Sequence, residues 1–423
     1  MRLNLNNISI NLKIIHKKKG CKIMLKVKVI GVGAAGNKAA IKLMKEGEFS
    51  SKDTMLINST RKDIPDEFAD TAVILSAANN GLGGCGKERD MGRGLILRDM
   101  RTGNIAFDDF LDQETNIAIV VASTEGGTGS ASAPVIAQYI KEVCHIPVIV
   151  CLFFGFNTDV RGMQNSIEIC RELPDNVGVI GISNQKFLEQ ANNNRIKAEQ
   201  LANQKFCDIV RIITGKDLVP SSQNIDDTDL FKLVTTEGYL IIEEINDISK
   251  VKNQKQLNEI IRETMDNSVL VDSDGGAKRI GVVYDAPQSV IDNLECDSSF
   301  ICEKYGTPYE MYTHIQNSDK GGLYWITAGM NLPIKEIQDI YQNYMNTSKE
   351  VNKDKDAFFE SIMSLNGIPE DKSFNMLSFK KDPARTVEEK DAFFGKFGFS
   401  TPRKANNSQQ KNSEGVKDSK KEY

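Results

Sequence analysis

Thr124-Glu125-Gly126-Gly127-Thr128-Gly129-Ser130-Ala131-Ser132-Ala133-Pro134 follows an apolar run at 116–122 and leads into a segment of helical spacing at 130–144. A strand that turns through glycines into a helix is the local form of a parallel α/β sheet. Gly126, Gly127 and Gly129 free the backbone amides, and Thr128 and Ser130 add hydroxyls, where the helix dipole favours an anion. Two further clusters fit the same plan. Gly31-Val32-Gly33-Ala34-Ala35-Gly36 follows a run at 27–32 and opens a helical segment at 37–46. Gly81-Leu82-Gly83-Gly84-Cys85-Gly86 follows a run at 71–75. One glycine cluster is more often a turn than a ligand site. Three, each after a strand of one sheet, point to a polyphosphate.

Outward from these loops, Val- and Ile-rich runs at 27–32, 54–58, 71–75, 116–122, 148–154 and 177–182 predict strands. Segments at 37–46, 92–101, 130–144 and 165–172 predict helices between them. That alternation predicts a doubly wound parallel sheet with helices on both faces, its ligands at the carboxyl ends of the strands. A long helical pattern at 192–215 closes at Gly215 and Pro220. Beyond it, helical segments at 257–266 and 335–345 and strands at 279–284 and 321–328 predict a smaller α+β domain. The expected organisation is a basic arm (1–23), a nucleotide-binding domain (24–191), a central helix (192–216), an α+β domain (217–345), a helical C-terminal extension (346–400) and a disordered basic tail (401–423).

Composition narrows the function. The net charge of −5 conceals an arm at +6, a tail at +3 and a body near −14, which excludes a generally basic nucleic-acid coat. No apolar run approaches the roughly 20 residues of a membrane span. The arm lacks the pattern of a secretory signal, and Met24 begins what looks like the start of the fold. The eight cysteines form no CxxC pair and have no histidine at zinc spacing, so reduced thiols in a cytoplasmic protein are expected. The sequence G-x-x-x-x-G-K-[ST] is absent, which excludes an ordinary P-loop NTPase. Gly31–Gly36 also reads as a dinucleotide fingerprint. The carboxylate that a dehydrogenase needs at the tip of its second strand is missing, because Asn58-Ser59-Thr60 stands there.

Gln223-Asn224-Ile225-Asp226-Asp227-Thr228-Asp229 follows the long helix. Its plain reading is an Asn/Asp turn capping the next helix, with Asp227 no more than a cap. His145 and His314 stand apart from any cysteine or carboxylate cluster and read as packing or surface residues. Trp325 reads as core. Glu243-Glu244 reads as a solvated helix face. Phe358, Phe359, Phe393, Phe394, Phe397 and Phe399 read as the packing face of a terminal helix, or as a docking face for a second copy.

Thr124–Ser130 resembles the G-G-G-T-G-[ST]-G signature of the tubulin/FtsZ superfamily of GTPases, with Glu125 in place of the first glycine and Ala131 in place of the last. The resemblance covers about residues 24–345. It implies a nucleotide site formed by Gly33, Ala34, Ala35 and Asn37 of the first loop and by Asn58 of the second, which lacks the family's Asp. Gly83 and Gly84 would sense the γ-phosphate, and Gly126, Gly127, Thr128, Gly129 and Ser130 would cradle the phosphates. Asp159 would contact the ribose, Asn184 the ribose and base, and Asn203 the guanine. Asn224, Asp226 and Asp229 match the N-x-D-x-x-D loop that projects into the next subunit's pocket. There the two carboxylates would polarise the attacking water, and Asn224 would reach the phosphates. The implied ligands are GTP or GDP with Mg²⁺ bridging the phosphates, and no metal site of the protein's own. The implied partner is a second copy, head to tail, in an open filament. Ala328-Gly329-Met330-Asn331-Leu332-Pro333, the divergent loops and the basic tail resemble the plasmid- and phage-encoded TubZ branch. That branch implies DNA segregation, with a DNA-bound adaptor held through the tail and no membrane. An FtsZ-type division scaffold, a non-hydrolysing assembly protein and a Rossmann-type NAD-dependent dehydrogenase are the alternatives.

Overall fold

The computed structural model describes residues 24–348, apart from 76–82, 222–223, 274, 297–298 and 319–320, together with 392–397. The arm, the tail and nearly all of the extension at 346–400 lie outside these residues. The strands are β1 (Val27–Val32), β2 (Thr54–Asn58), β3 (Ala72–Ile74), β4 (Ile117–Ser123), β5 (Val148–Phe154), β6 (Gly178–Ser183), β7 (Gly238–Ile245), β8 (Arg279–Asp285), β9 (Glu310–Gln316) and β10 (Gly322–Met330). The helices are α1 (Gly33–Lys45), α2 (Arg89–Thr102), α3 (Phe107–Phe110), α4 (Gly127–Glu142), α5 (Val160–Glu172) and α6 (Asn184–Gln190). They continue with α7 (Arg195–Thr214), α8 (Asp227–Val234), α9 (Gln254–Asp266), α10 (Gln288–Ile291), α11 (Ser299–Tyr305) and α12 (Ile334–Thr347).

These strands form one sheet in the order β3-β2-β1-β4-β5-β6-β7-β10-β8-β9. The strands from β3 to β7 run parallel. β4 and β5 are nearly continuous buried apolar runs, Ile-Ala-Ile-Val-Val-Ala-Ser and Val-Ile-Val-Cys-Leu-Phe-Phe. Such strands suit a sheet covered on both faces, because each side chain finds a helix above or below. From β1 the chain winds outward through β2 and β3, then returns to β4 beside β1. That reversal opens a crevice at the carboxyl ends of β1 and β4. The sheet continues past α7 through a short parallel pairing of β6 with β7 at Gly178↔Gly238 and Val179↔Tyr239. β10 then pairs antiparallel with both β7 and β8.

Four expected helices begin three to five residues earlier than their apolar spacing suggests, at Gly33, Arg89, Gly127 and Val160. Their first turns, Gly-Ala-Ala-Gly, Arg-Asp-Met-Gly, Gly-Thr-Gly-Ser and Val-Arg-Gly-Met, each hold a glycine and carry no periodic signal, and the glycine loops at 31–36 and 124–130 run directly into helix N-termini. Glu243-Glu244 is corrected: it lies in β7, not on a helix face. Glu243 is 3% exposed and is neutralised by Lys205 of α7 at 2.6 Å, while Glu244 pairs with Arg211 of the same helix. A carboxylate can be buried in a strand when a cation comes with it. Trp325 is fully buried. All seven cysteines among the described residues are free thiols. No described helix is long and apolar enough to cross a membrane. The chain divides into two compact units, Met1–Arg385 and Thr386–Tyr423. In the second, Phe393 and Phe394 meet edge to face at 5.4 Å.

Candidate nucleotide site

At the crevice, Gly33 opens α1 with φ +73°, a backbone conformation that side chains disfavour. Gly36 lies so close to β4 that a Cβ there would stand 2.0 Å from the Val121 carbonyl oxygen. The chain can therefore set the first turn of α1 directly against the strand that feeds α4. Neither helix is closed by a side chain: Val32 and Gly126 occupy the N-cap positions of α1 and α4 and offer no capping oxygen. In contrast α5, α6, α7, α8 and α9 are capped by Asp159, Ser183, Asn194, Asp226 and Asn253. An uncapped helix start leaves backbone N–H groups to be satisfied from outside, with the positive end of the dipole behind them. Two such starts on one crevice make an anion receptor.

The crevice is a cleft of about 350 Å³, within the ordinary range for small-molecule sites. Of the expected residues it brings together Gly33, Ala34, Ala35, Gly126, Gly129, Asn184 and Asn203. Gly127, Thr128 and Ser130 stand in the first turn of α4 and are buried. The Thr128 hydroxyl meets Ser59 Oγ at 2.7 Å. Asn37 is buried beneath the cleft and donates to the Ile57 carbonyl at 3.2 Å, while its Oδ1 has no partner. Asn58 donates to Asp63 at 3.0 Å. Gly84 donates to the Ser59 carbonyl at 3.1 Å, so the third glycine loop leans on the second loop. Asp159 does not line the cleft. It caps α5 by accepting from Gly162 N at 2.8 Å and pairs with Lys87 at 2.5 Å. The Lys87 ammonium holds its carboxyl below the usual value against the effect of burial.

Several cleft residues gave no signal in the sequence. Lys38 of α1 pairs with Glu199 of α7 at 3.0 Å, and the Arg195 guanidinium lies 5.1 Å from the centre of the Phe156 ring. All four line the cleft. They come from segments far apart in the chain, so no local motif announces them. Glu125 also lines the cleft, and its Oε1 accepts from Asn157 N at 2.9 Å. Its charge is thus directed at the loop after β5.

Asn224, Asp226 and Asp229 are absent from the cleft lining. They sit at the start of α8, where Asp226 rather than Asp227 is the cap, its Oδ1 accepting from Asp229 N at 2.9 Å. Burial first, and then the neighbouring Asp226 charge, raises the Asp229 carboxyl above its ordinary value. Among the described residues no group of three His, Cys, Asp or Glu side chains is placed to hold a metal.

Residues 26–192 match the family described as Tubulin/FtsZ family, GTPase domain. Cell division protein FtsZ 2 of Halobacterium salinarum is 25% identical over 304 residues, 70% of this chain and 74% of that relative. FtsZ 2 of Methanocaldococcus jannaschii is 28% identical over 262 residues, 60% of this chain and 65% of the relative. Among solved structures, a GTPγS-form protofilament of Bacillus thuringiensis serovar israelensis TubZ matches with a TM-score of 0.62 at 14% identity, covering 81% of this chain and 95% of that one. CetZ2 from Haloferax volcanii, a GTPγS-bound protofilament, gives 0.61 at 16% identity, covering 77% and 100%.

Proposed function

We propose that this chain, whose residues 26–192 match the Tubulin/FtsZ family GTPase domain, is a member of that superfamily that binds and hydrolyses GTP and assembles head to tail, each nucleotide being hydrolysed between two copies. The observation that carries this reading is the convergence of the uncapped starts of α1 and α4 on the β1–β4 crevice. Phosphate oxygens take the free amides there, while Asn184 and Asn203 supply amides for the sugar and base. Asn224, Asp226 and Asp229 do not line their own cleft, which agrees with their acting on the nucleotide of a neighbour, the aspartates through their carboxylates and Asn224 through its amide. Phosphoryl transfer needs a positioned water and stabilised charge more than covalent help. The Asp226 and Asp229 carboxylates together orient and polarise that water, and Asp226 also caps the turn that presents Asp229. Mg²⁺ bound with the nucleotide would neutralise charge on the β- and γ-phosphates. The donor set fits an ion held by phosphate oxygens and water, since the 58–60 loop has no carboxylate.

The cargo proposed for such a filament is plasmid or phage DNA, gripped through an adaptor by the basic tail at 401–423. The relatives named as cell division proteins favour a second reading, a division scaffold. Tail-dependent retention of adaptor–DNA that falls steeply with salt supports the first, and its absence the second. The central test measures phosphate release and light scattering against protein concentration, for the wild type and for Asp226→Ala and Asp229→Ala. Specific activity should rise above a critical concentration, and the variants should scatter but lose about 100-fold or more in hydrolysis. A rate per molecule that is unchanged by dilution and by both substitutions would remove the shared site.

A further inference from the structure

His314 lies in β9, is 0% exposed, and belongs to none of the groups the proposed chemistry uses. Its Nδ1 stands 3.1 Å from the backbone nitrogen of Ile225. That nitrogen can only donate, so Nδ1 must be the unprotonated nitrogen and the ring proton must sit on Nε2. Nε2 lies 2.9 Å from Gln316 Oε1, to which it donates. The same Gln316 oxygen accepts from Val219 N at 3.0 Å, and the Gln316 amide donates to the Asp217 carbonyl and to Asp285 Oδ2, both at 2.9 Å. The parallel pairing of β8 with β9 sets Gln316 opposite Asp285 and His314 opposite Val283. Two side chains one pleat apart on β9 therefore hold the segment between α7 and α8 at Asp217, Val219 and Ile225. Ile225 sits between Asn224 and Asp226.

We propose that neutral His314 is a positioning residue that fixes the Asn224–Asp229 turn by accepting the Ile225 N–H. This rests on the reading above, in which that turn serves the neighbouring nucleotide. A helix start is easily shifted by ångströms, and a shift of that size costs a positioned group much of its effect. Asp226 anchors the far side of the turn by capping α8, and the imidazole anchors the near side. Protonation would place an N–H on Nδ1 facing the Ile225 N–H, and the anchor would become a repulsion. The charged groups around the ring are Asp285 on β8, Asp217 with its partner Arg211 of α7, and Asp226 and Asp229 beyond Ile225. The Asp285 charge favours protonation, but burial outweighs it and holds the ring below the usual imidazole range. The anchor is therefore complete at neutral pH and still in place near pH 6.5, where a solvated imidazole takes its proton, and it is lost only as pH falls further, through the ring's own lowered value.

The test compares wild type with His314→Asn, whose Oδ1 replaces the Nδ1 acceptor but does not titrate, and with His314→Leu, which has no acceptor. Each is assayed for assembly-coupled phosphate release from pH 5 to 8, for GTP affinity, and for hydrogen exchange at the Ile225 amide. His314→Leu should lose about tenfold or more in turnover and expose the Ile225 amide, with GTP affinity within about twofold. His314→Asn should restore most of the turnover, keep Ile225 protected and flatten the acid limb. Ile225 exchange unchanged in His314→Leu, or an acid limb that persists unaltered in His314→Asn, would overturn the proposal. His314→Asn carries the test alone if the leucine variant does not fold. Should wild type fail to hydrolyse GTP, the earlier reading falls, yet Ile225 exchange still decides whether His314 holds the turn.

Discussion

The starts of α1 and α4 and the start of α8 solve opposite problems with the same backbone geometry. At α1 and α4 no side chain closes the helix, and the approach of Gly36 to Val121 leaves room for backbone alone. At α8 the first turn is closed by Asp226, and its approach is pinned by His314 and Gln316. An open helix start receives a ligand, whereas a closed one presents its own side chains. The difference predicts how each region fails: the first by steric intrusion, the second by loss of individual hydrogen bonds and charges.

Gly36→Ala tests the first half of that contrast most severely. The new methyl would stand 2.0 Å from a carbonyl oxygen fixed in the central sheet, so α1 must lift away. A loss of about 3 kcal/mol in denaturant unfolding, with GTP binding abolished, is expected. A midpoint close to wild type would show that the crevice tolerates bulk. Lys205→Met removes a single charge that lies away from both kinds of helix start, between α7 and β7. It strands Glu243 in β7, which is 5% exposed as a side chain, while Lys205 itself keeps 14% of its exposure. Allowing for that partial access, about 2 kcal/mol should be lost, much of it returning when Glu243→Leu is added. No recovery in the double variant would mean that shape, not charge, governs the site.

At α8 a smaller and more discriminating pair of changes applies. Asp226→Ala removes both cap and charge, and should cost about 1 kcal/mol of stability together with hydrolysis. Asp226→Asn keeps the cap and should lose hydrolysis alone. Equal destabilisation by both would contradict the cap. Asp229 has a sign of its own. Because the folded chain raises its proton affinity, ionising it costs stability, and that cost appears as pH rises through the carboxylate range. Asp229→Asn should therefore unfold slightly later than wild type at neutral pH, and with no difference at low pH.

This contrast also marks where the sequence was readable. The parallel half announces itself because β4 and β5 are unbroken apolar runs and the loops proposed to hold phosphate are spelled in glycine. The match of residues 26–192 falls in that half. β9 was not anticipated: Glu-Met-Tyr-Thr-His-Ile-Gln has no clean alternation, since His314 and Gln316 are buried for their hydrogen bonds. β7 was misread because its carboxylates are neutralised by Lys205 and Arg211, more than 30 residues earlier. Lys38, Phe156, Arg195 and Glu199 meet only when α1, α7 and the loop after β5 come together. Local pattern reveals backbone-built sites; sites built from distant side chains have no local pattern to reveal.

The smallest expected effect runs in the favourable direction and isolates sterics from glycine content. Gly94 lies in α2, two residues from Gly92, where a Cβ would stand 2.5 Å from the Gly127 carbonyl oxygen at the start of α4. At Gly94 a Cβ would meet nothing within 4 Å. Gly94→Ala should therefore stabilise the chain by about 0.5–1 kcal/mol, since alanine has less freedom to lose on folding and nothing to collide with. Gly92→Ala, with the same change in the unfolded chain, should destabilise it and disturb the first turn of α4. If the two shift the unfolding midpoint alike, backbone entropy dominates and the close approach of α2 to α4 has no energetic weight. Opposite signs would establish that the open start of α4 is held in place by a neighbour with no room for a side chain.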